Sequence, residues 1–185
     1  MSNEKKNMSA RFFIRIGVTL LVIAAVVAAL LAAINSLTKD KIAENEKQAV
    51  AQYIEQIFAD QFGSYEETEL TEKNEMIDAV YKVTLTDGGE AWCFRVGGNG
   101  FGGKVSFIIG TDKEGNIKGI KTLSHSETPG VGTKAVDNGA GYLDNYKNVN
   151  AADGESVAAK SGATYSSKAV KSAVKTVAEY LSKEG

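Results

Sequence analysis

Apolar side chains recur along this chain in three rhythms, and each rhythm predicts a different element. From Ile16 to Ile34 every residue is apolar or small except Thr19, an unbroken run of 19. At about 1.5 Å per residue, such a helix is long enough to cross the hydrocarbon core of a bilayer. Val50, Tyr53, Ile54, Ile57 and Phe58 then recur at spacings of three and four. That predicts an amphipathic helix from about Lys39 to Gln61, ended before Gly63. Tyr81, Val83 and Leu85 alternate with Lys82, Thr84 and Thr86, the period of a half-buried strand. Asp87-Gly88-Gly89 predicts a turn into a second strand, Ala91 to Val96. A third strand, Val105 to Ile109, meets a fourth, Ile117 to Leu123, across a turn at Asp112 to Gly115. Val170, Ala173, Val174, Val177 and Leu181 return to helical spacing. The expected fold class is α+β, with helices flanking an antiparallel meander. The expected divisions are a cytoplasmic tail at 1–15, a transmembrane helix at 16–37, a helical connector at 38–75 and the sheet domain at 76–185.

Charge gives the apolar run a direction. Lys5, Lys6, Arg11 and Arg15 precede it against Glu4 alone, whereas Lys39 and Lys41 behind it are mixed with Asp40, Glu44 and Glu46. The positive-inside rule then predicts a single pass through the cell membrane with the C-terminal domain extracytoplasmic. A cleaved signal peptide is the rival, but its apolar region is shorter and ends in Ala-x-Ala. Here the alanines form adjacent pairs, Ala24-Ala25, Ala28-Ala29 and Ala32-Ala33, with no Ala-x-Ala. Their four-residue spacing places small side chains on one face, where another membrane helix can approach closely. The plainer alternative is that alanine is common in such helices.

Composition removes several classes of function. With 21 basic and 23 acidic residues the charge is nearly balanced, so no nucleic-acid partner is expected. Cys93 and His125 are the single cysteine and the single histidine. No intramolecular disulfide is possible, and no zinc or iron–sulfur ligand set is expected.

Three segments stand apart from this scaffold. Gly97-Gly98-Asn99-Gly100-Phe101-Gly102-Gly103 holds more glycine than a hairpin needs. It fits neither the Walker A nor the dinucleotide pattern, and a glycine-rich loop without a ligand is the plainer reading. In His125-Ser126-Glu127-Thr128-Pro129-Gly130-Val131-Gly132, Pro129 and Gly130 suit the central positions of a type II turn. Such a turn is either purely structural or directs backbone N–H groups at a ligand. Ser161-Gly162-Ala163-Thr164-Tyr165-Ser166-Ser167 comes immediately before the C-terminal helix. Its small residues leave the Thr164 hydroxyl open, and the helix N-terminus beside it favours a phosphate. The alternative is a helix cap made by Ser166 or Ser167. A nucleophilic triad would need a base with an acidic orienter, and none is defined for His125; spacing neither excludes a triad nor supports one.

Taken together, these segments resemble the FMN-binding domain family. Its members include the G subunit of the Rnf ion-translocating ferredoxin:NAD oxidoreductase and the C subunit of the sodium-translocating NADH:quinone reductase. The resemblance covers about Met76 to Leu181, and the form Ser161 to Val170 is more like the Rnf G subunit. It implies covalent FMN, attached to Thr164 through a phosphoester by a separate flavin transferase that uses FAD. It also implies that Ser161, Gly162 and Ala163 form the immediate setting of that bond. Glu127, Thr128, Pro129, Gly130, Val131 and Gly132 are expected to hold the flavin, together with Gly102 and Gly103. Val131 replaces a commoner leucine, and Ala158 stands where many members have aspartate.

The function so implied is electron transfer within a membrane-bound, ion-translocating complex. Other membrane, iron–sulfur and flavin subunits would be partners, and no catalytic group or metal is expected beyond the flavin. The alternatives are the corresponding quinone reductase subunit, a free-standing anchored flavoprotein serving an extracytoplasmic reductase, and a non-redox interaction module.

Overall fold

The computed structural model describes residues 2–70 and 75–184. The chain forms two compact units, Met1–Lys47 and Gln48–Gly185. The described residues of the first are helical and belong to α1 (Ser2–Phe58), which runs without a break through the apolar stretch. That stretch reaches a mean hydropathy of 2.8, with none of it buried. Leu20, Leu21, Leu30 and Leu31 are all exposed along it. Thr19, its one polar residue, donates its hydroxyl to the Arg15 carbonyl at 2.8 Å, so it brings no unsatisfied donor into apolar surroundings. By length and composition, this helix can cross a membrane.

In the second unit, five strands form an antiparallel sheet in the order β1-β2-β3-β4-β5. They are β1 (Phe62–Thr68), β2 (Ile77–Leu85), β3 (Glu90–Asn99), β4 (Lys104–Asp112) and β5 (Ile117–Ser124). Four of these correspond to the strands predicted from alternation, each extended at one or both ends. The first corrects the helical connector expected at 38–75. Helical backbone, including a final 3-10 turn at Ala59–Gln61, stops at Gln61, and β1 pairs with β2 from Phe62↔Leu85 to Thr68↔Val80. Residues 71–74 of that connector lie outside the described residues. β1 escaped the pattern because it is an edge strand whose residues beyond Phe62 are exposed, leaving no buried face to alternate. Gly97, Gly98 and Asn99, read as loop, are the last residues of β3 and pair with Ser106, Val105 and Lys104.

Both faces of the sheet are covered. On one side lies α3 (Thr164–Glu184), whose Ala169, Val170, Ala173, Val174 and Val177 pack with Phe94, Val96, Phe107 and Ile109. The helix comes close to the sheet at Gly98, where a Cβ would stand 2.2 Å from the Ala169 carbonyl oxygen. Glycine there lets the start of α3 lie flat against β3. On the other side, Val50, Ile54 and Phe58 of α1 pack with Tyr81, Val83, Cys93 and Ile108. Phe94 faces α3 and Cys93 faces α1, as the two-residue period of a strand requires.

Between β5 and α3 the chain forms α2 (Thr133–Val136) and 3-10 turns at Leu143–Tyr146 and Ala151–Ser156. Asn138 ties this segment to the sheet. Its side chain accepts the Thr122 N–H at 2.6 Å and donates to the Thr122 carbonyl at 3.0 Å.

Candidate functional site

The three motifs, far apart in sequence, meet at the N-terminal end of α3. That helix starts at Thr164 itself, where the sequence placed the residue just ahead of the helix. The approach is a tight turn with Gly162 at φ +76°. The Ala163 N–H donates to the Lys160 carbonyl at 3.0 Å. Ser167 is inside the first helical turn, not at its cap. Its hydroxyl donates to the Ala163 carbonyl and accepts the Lys160 N–H, both at 2.9 Å. Ala163, Ser166 and Ser167 are buried, whereas Ser161, Gly162, Thr164 and Tyr165 are exposed. The motif therefore alternates anchors with accessible groups, and the Thr164 hydroxyl is one of the accessible ones.

The second motif forms the predicted turn. Gly130 has φ +74°, and the Val131 N–H donates to the Thr128 carbonyl at 3.1 Å. The Gly130 N–H donates to the Thr133 hydroxyl at 2.9 Å, and the Glu127 N–H to His125 Nδ1 at 3.2 Å. The N–H groups of Glu127, Gly130 and Val131 are thus spent within the loop. Ser126, Thr128, Pro129, Gly130 and Val131 are exposed, and Val131, 51% exposed, is the large apolar side chain among them. His125 also gains an acidic partner, Asp137, 2.8 Å from Nε2. With both ring nitrogens engaged, the imidazole has none left to activate a hydroxyl.

Glu127 joins all three motifs. It is 5% exposed. One carboxylate oxygen accepts the Gly102 N–H at 2.9 Å, and the other accepts the Ser166 hydroxyl at 2.7 Å. The glycines around it make room for that side chain. A Cβ on Gly100 would lie 2.1 Å from Glu127 Oε1, and one on Gly132 would lie 2.2 Å from Oε2. Gly102 admits the Ser126 carbonyl, 2.1 Å from where its Cβ would be. Gly103, at φ +127°, closes the hairpin by accepting the Gly100 N–H. The glycine-rich segment is thus a hairpin tip shaped around a buried carboxylate.

In front of Glu127 lies a cleft of about 160 Å³, bounded by Phe101, Thr128, Val131, Gly132, Gly162, Ala163, Thr164 and Tyr165. Phe101 and Tyr165 are 76% and 64% exposed, with ring centroids 6.2 Å apart. Lys168 Nζ lies 5.2 Å from the Tyr165 ring centroid, a cation–π contact, and its i+4 spacing puts it on the Thr164 face of the helix. Phe101, Tyr165, Ser166 and Lys168 were not among the expected site residues. All four lie within or next to the motifs, and what marks them is side-chain direction, which spacing does not reveal. A larger groove of about 380 Å³ at the other end of α3, around Trp92, Tyr180 and Leu181, contains no motif residue.

Residues 100–179 match the family model described as FMN-binding domain, and residues 6–57 match RnfG N-terminal region. Several relatives are, by name, G subunits of ion-translocating oxidoreductase complexes. One from Shewanella piezotolerans is 32% identical over 57% of this chain and 54% of its own length. Another from Shewanella baltica is 29% identical over 65% and 61%. A third from Vibrio vulnificus is 27% identical over 89% and 87%. Against the two Shewanella relatives the chain spans a little over half of their length. Over residues 100–179 the chain is thus similar to the FMN-binding domain family, and around them to the G subunits of ion-translocating oxidoreductase complexes.

Proposed function

We propose that this chain is an electron-transfer subunit of a membrane-bound, ion-translocating oxidoreductase of the Rnf type, carrying FMN as a phosphoester on Thr164. The observation that carries this reading is the placement of Thr164. Its hydroxyl is exposed at the first residue of a 21-residue helix, at the edge of a cleft that the family's motifs build together. The residues present suit FMN. The helix N-terminus and Lys168 offer positive potential to a phosphate. Phe101, Val131 and Tyr165 offer an exposed apolar rim to a planar ring. When bound, FMN supplies the electron-transfer chemistry, while the chain supplies position and electrostatics.

For attachment, Thr164 Oγ1 bonds to the FMN phosphorus of FAD on a flavin transferase. The pyrophosphate bridge breaks, AMP leaves, and the hydroxyl proton passes to the transferase or solvent. Electrons then enter and leave through iron–sulfur or flavin centres of partner subunits. The match of residues 6–57 to the RnfG N-terminal region supports an Rnf-type complex over the quinone reductase alternative. The basic flank at Lys5, Lys6, Arg11 and Arg15 supports a cytoplasmic N-terminus, a single pass and an extracytoplasmic flavin. A covalent link there prevents loss of the cofactor by dilution and keeps it at high effective concentration near its partners.

The test is co-production of the chain with a flavin transferase, followed by intact mass and in-gel flavin fluorescence under denaturing conditions. Wild type gains the mass of FMN less water and fluoresces. Thr164→Val, which deletes an exposed hydroxyl with little change of volume, does neither. Fluorescence that survives in the valine variant places the bond elsewhere.

A further inference from the structure

Bracing the site does not by itself account for the charge on Glu127. Both carboxylate oxygens are held by neutral donors, the Gly102 N–H and the Ser166 hydroxyl. Among the described residues, no lysine or arginine forms an ion pair with it. The nearby imidazole of His125 accepts the Glu127 N–H at Nδ1 and turns Nε2 toward Asp137. Lys168, on the helix that carries Ser166, lies over the Tyr165 ring. Burying a carboxylate with no cation beside it is costly. A glutamine has nearly the same shape and makes a similar brace at lower cost. Gly100 and Gly132 leave room for the acidic side chain, and that side chain lines the same cleft as Thr164.

We propose that the buried Glu127 carboxylate, at the back of the Thr164 cleft, lowers the reduction potential of the flavin held there. The inference rests on the FMN reading above. Each electron accepted from a partner's donor centre adds one negative charge to the flavin unless a proton from solvent follows it. A fixed negative charge behind the cleft opposes the unprotonated outcome, and in surroundings poor in water that opposition is weakly screened. Two consequences follow. The potential is lower than the apolar rim and helix N-terminus alone would set, and its dependence on pH is steeper, because proton uptake is favoured. Glu127 acts through its field, as a positioning residue for charge.

The experiment is a spectroelectrochemical titration of the full-length flavinylated protein in detergent across a range of pH. Glu127→Gln keeps the shape and removes the charge, whereas Glu127→Asp keeps the charge and shortens the brace. The expected result is a rise of at least 59 mV in Glu127→Gln, a tenfold change in the one-electron equilibrium. Its pH slope becomes shallower, and the aspartate variant stays closer to wild type. An unchanged potential in the glutamine variant overturns the proposal. So does an equal rise in both variants, since the brace alone would then explain it. Should neither variant accumulate, Ser166→Ala answers the same question. It removes a neutral donor that offsets the charge, so the potential moves down, and a rise or no change refutes the idea. A wild-type chain that gains no flavin sinks the attachment reading instead, leaving a result distinguishable from all of these.

Discussion

Two glycines in the Glu127–Gly132 turn allow a test of what holds the site together, because conformation and packing rank them in opposite order. Gly130 has φ +74° and nothing within 4 Å of the position a Cβ would take. Gly130→Ala therefore costs only the left-handed backbone penalty, about 1–2 kcal/mol. Gly132 has φ −65°, which any residue adopts. Its added methyl would lie 2.2 Å from Glu127 Oε2, 2.7 Å from Ser166 Oγ and 2.9 Å from Glu127 Cβ. The relief available is to swing the carboxylate out of its seat. That breaks its bond to the Ser166 hydroxyl and leaves the Gly102 N–H without its acceptor. A hydrogen bond to a charged group is worth about 1.5–3 kcal/mol, and residual crowding adds to the loss. Gly132→Ala should cost about 3–5 kcal/mol, against about 1–2 for Gly130→Ala. At about 3–5 °C per kcal/mol for a unit of this size, the two melting points should differ by roughly 10 °C. Thermal unfolding of the full-length flavin-free protein, followed through the fluorescence of Trp92, gives the comparison. A larger loss in Gly130→Ala than in Gly132→Ala would show that backbone conformation, not the seat of Glu127, limits stability here.

The fold supports further expectations. Gly98→Ala pushes a methyl against backbone, 2.2 Å from the Ala169 carbonyl oxygen. It should lower the melting point at least as much as Gly132→Ala, since no side-chain rotation relieves the clash. Cys93 is fully buried, and burial pushes its thiol pKa up. It should resist maleimide in the native protein and react only on unfolding, so cysteines introduced for topology mapping can be read against a silent background. At Asp112, burial works to raise the carboxyl pKa. Hydrogen bonds from Lys118 and from the Asn116 side chain and backbone prevail, and the pKa is lowered. A depressed folded-state pKa contributes stability above the unfolded value near 4 and loses it as pH falls through the folded one. Replacing Asp112 by Asn should therefore flatten the acid side of the stability profile below about pH 4; an unchanged profile would assign that loss to other carboxylates.

The long apolar helix, the strands with buried faces and the C-terminal helix were legible because an unbroken apolar run or one-sided burial shows directly in the sequence. β1 was not, since its place in the sheet comes from backbone pairing with β2 and leaves Ser64, Glu66 and Glu67 facing solvent. The ends of β3 were lost for a related reason. Gly97 and Gly98 look like loop by composition, yet Gly98 is glycine because a helix lies on it. Composition records that a side chain is missing and not what fills the space.

The same distinction decides how the candidate site reads. Its motifs were visible as unusual runs of small residues, and the resemblance to a family ordered them. What joins them was hidden: Glu127 reaches Gly102 across 25 residues and Ser166 across 39. No local period connects such positions. Gly100, Gly102 and Gly132 are each set by contact with Glu127 or the Ser126 carbonyl beside it. A turn that binds through backbone N–H groups should leave those groups free, and here those of Glu127, Gly130 and Val131 are bonded internally. The accessible features are instead a hydroxyl, two aromatic rings, a valine and a lysine, set in front of a buried negative charge. Such a cleft is suited to hold a flat, phosphate-bearing group while resisting the addition of negative charge to it. In the electron relay proposed above, the group would stay in place through every cycle, and the buried charge would favour its giving up electrons.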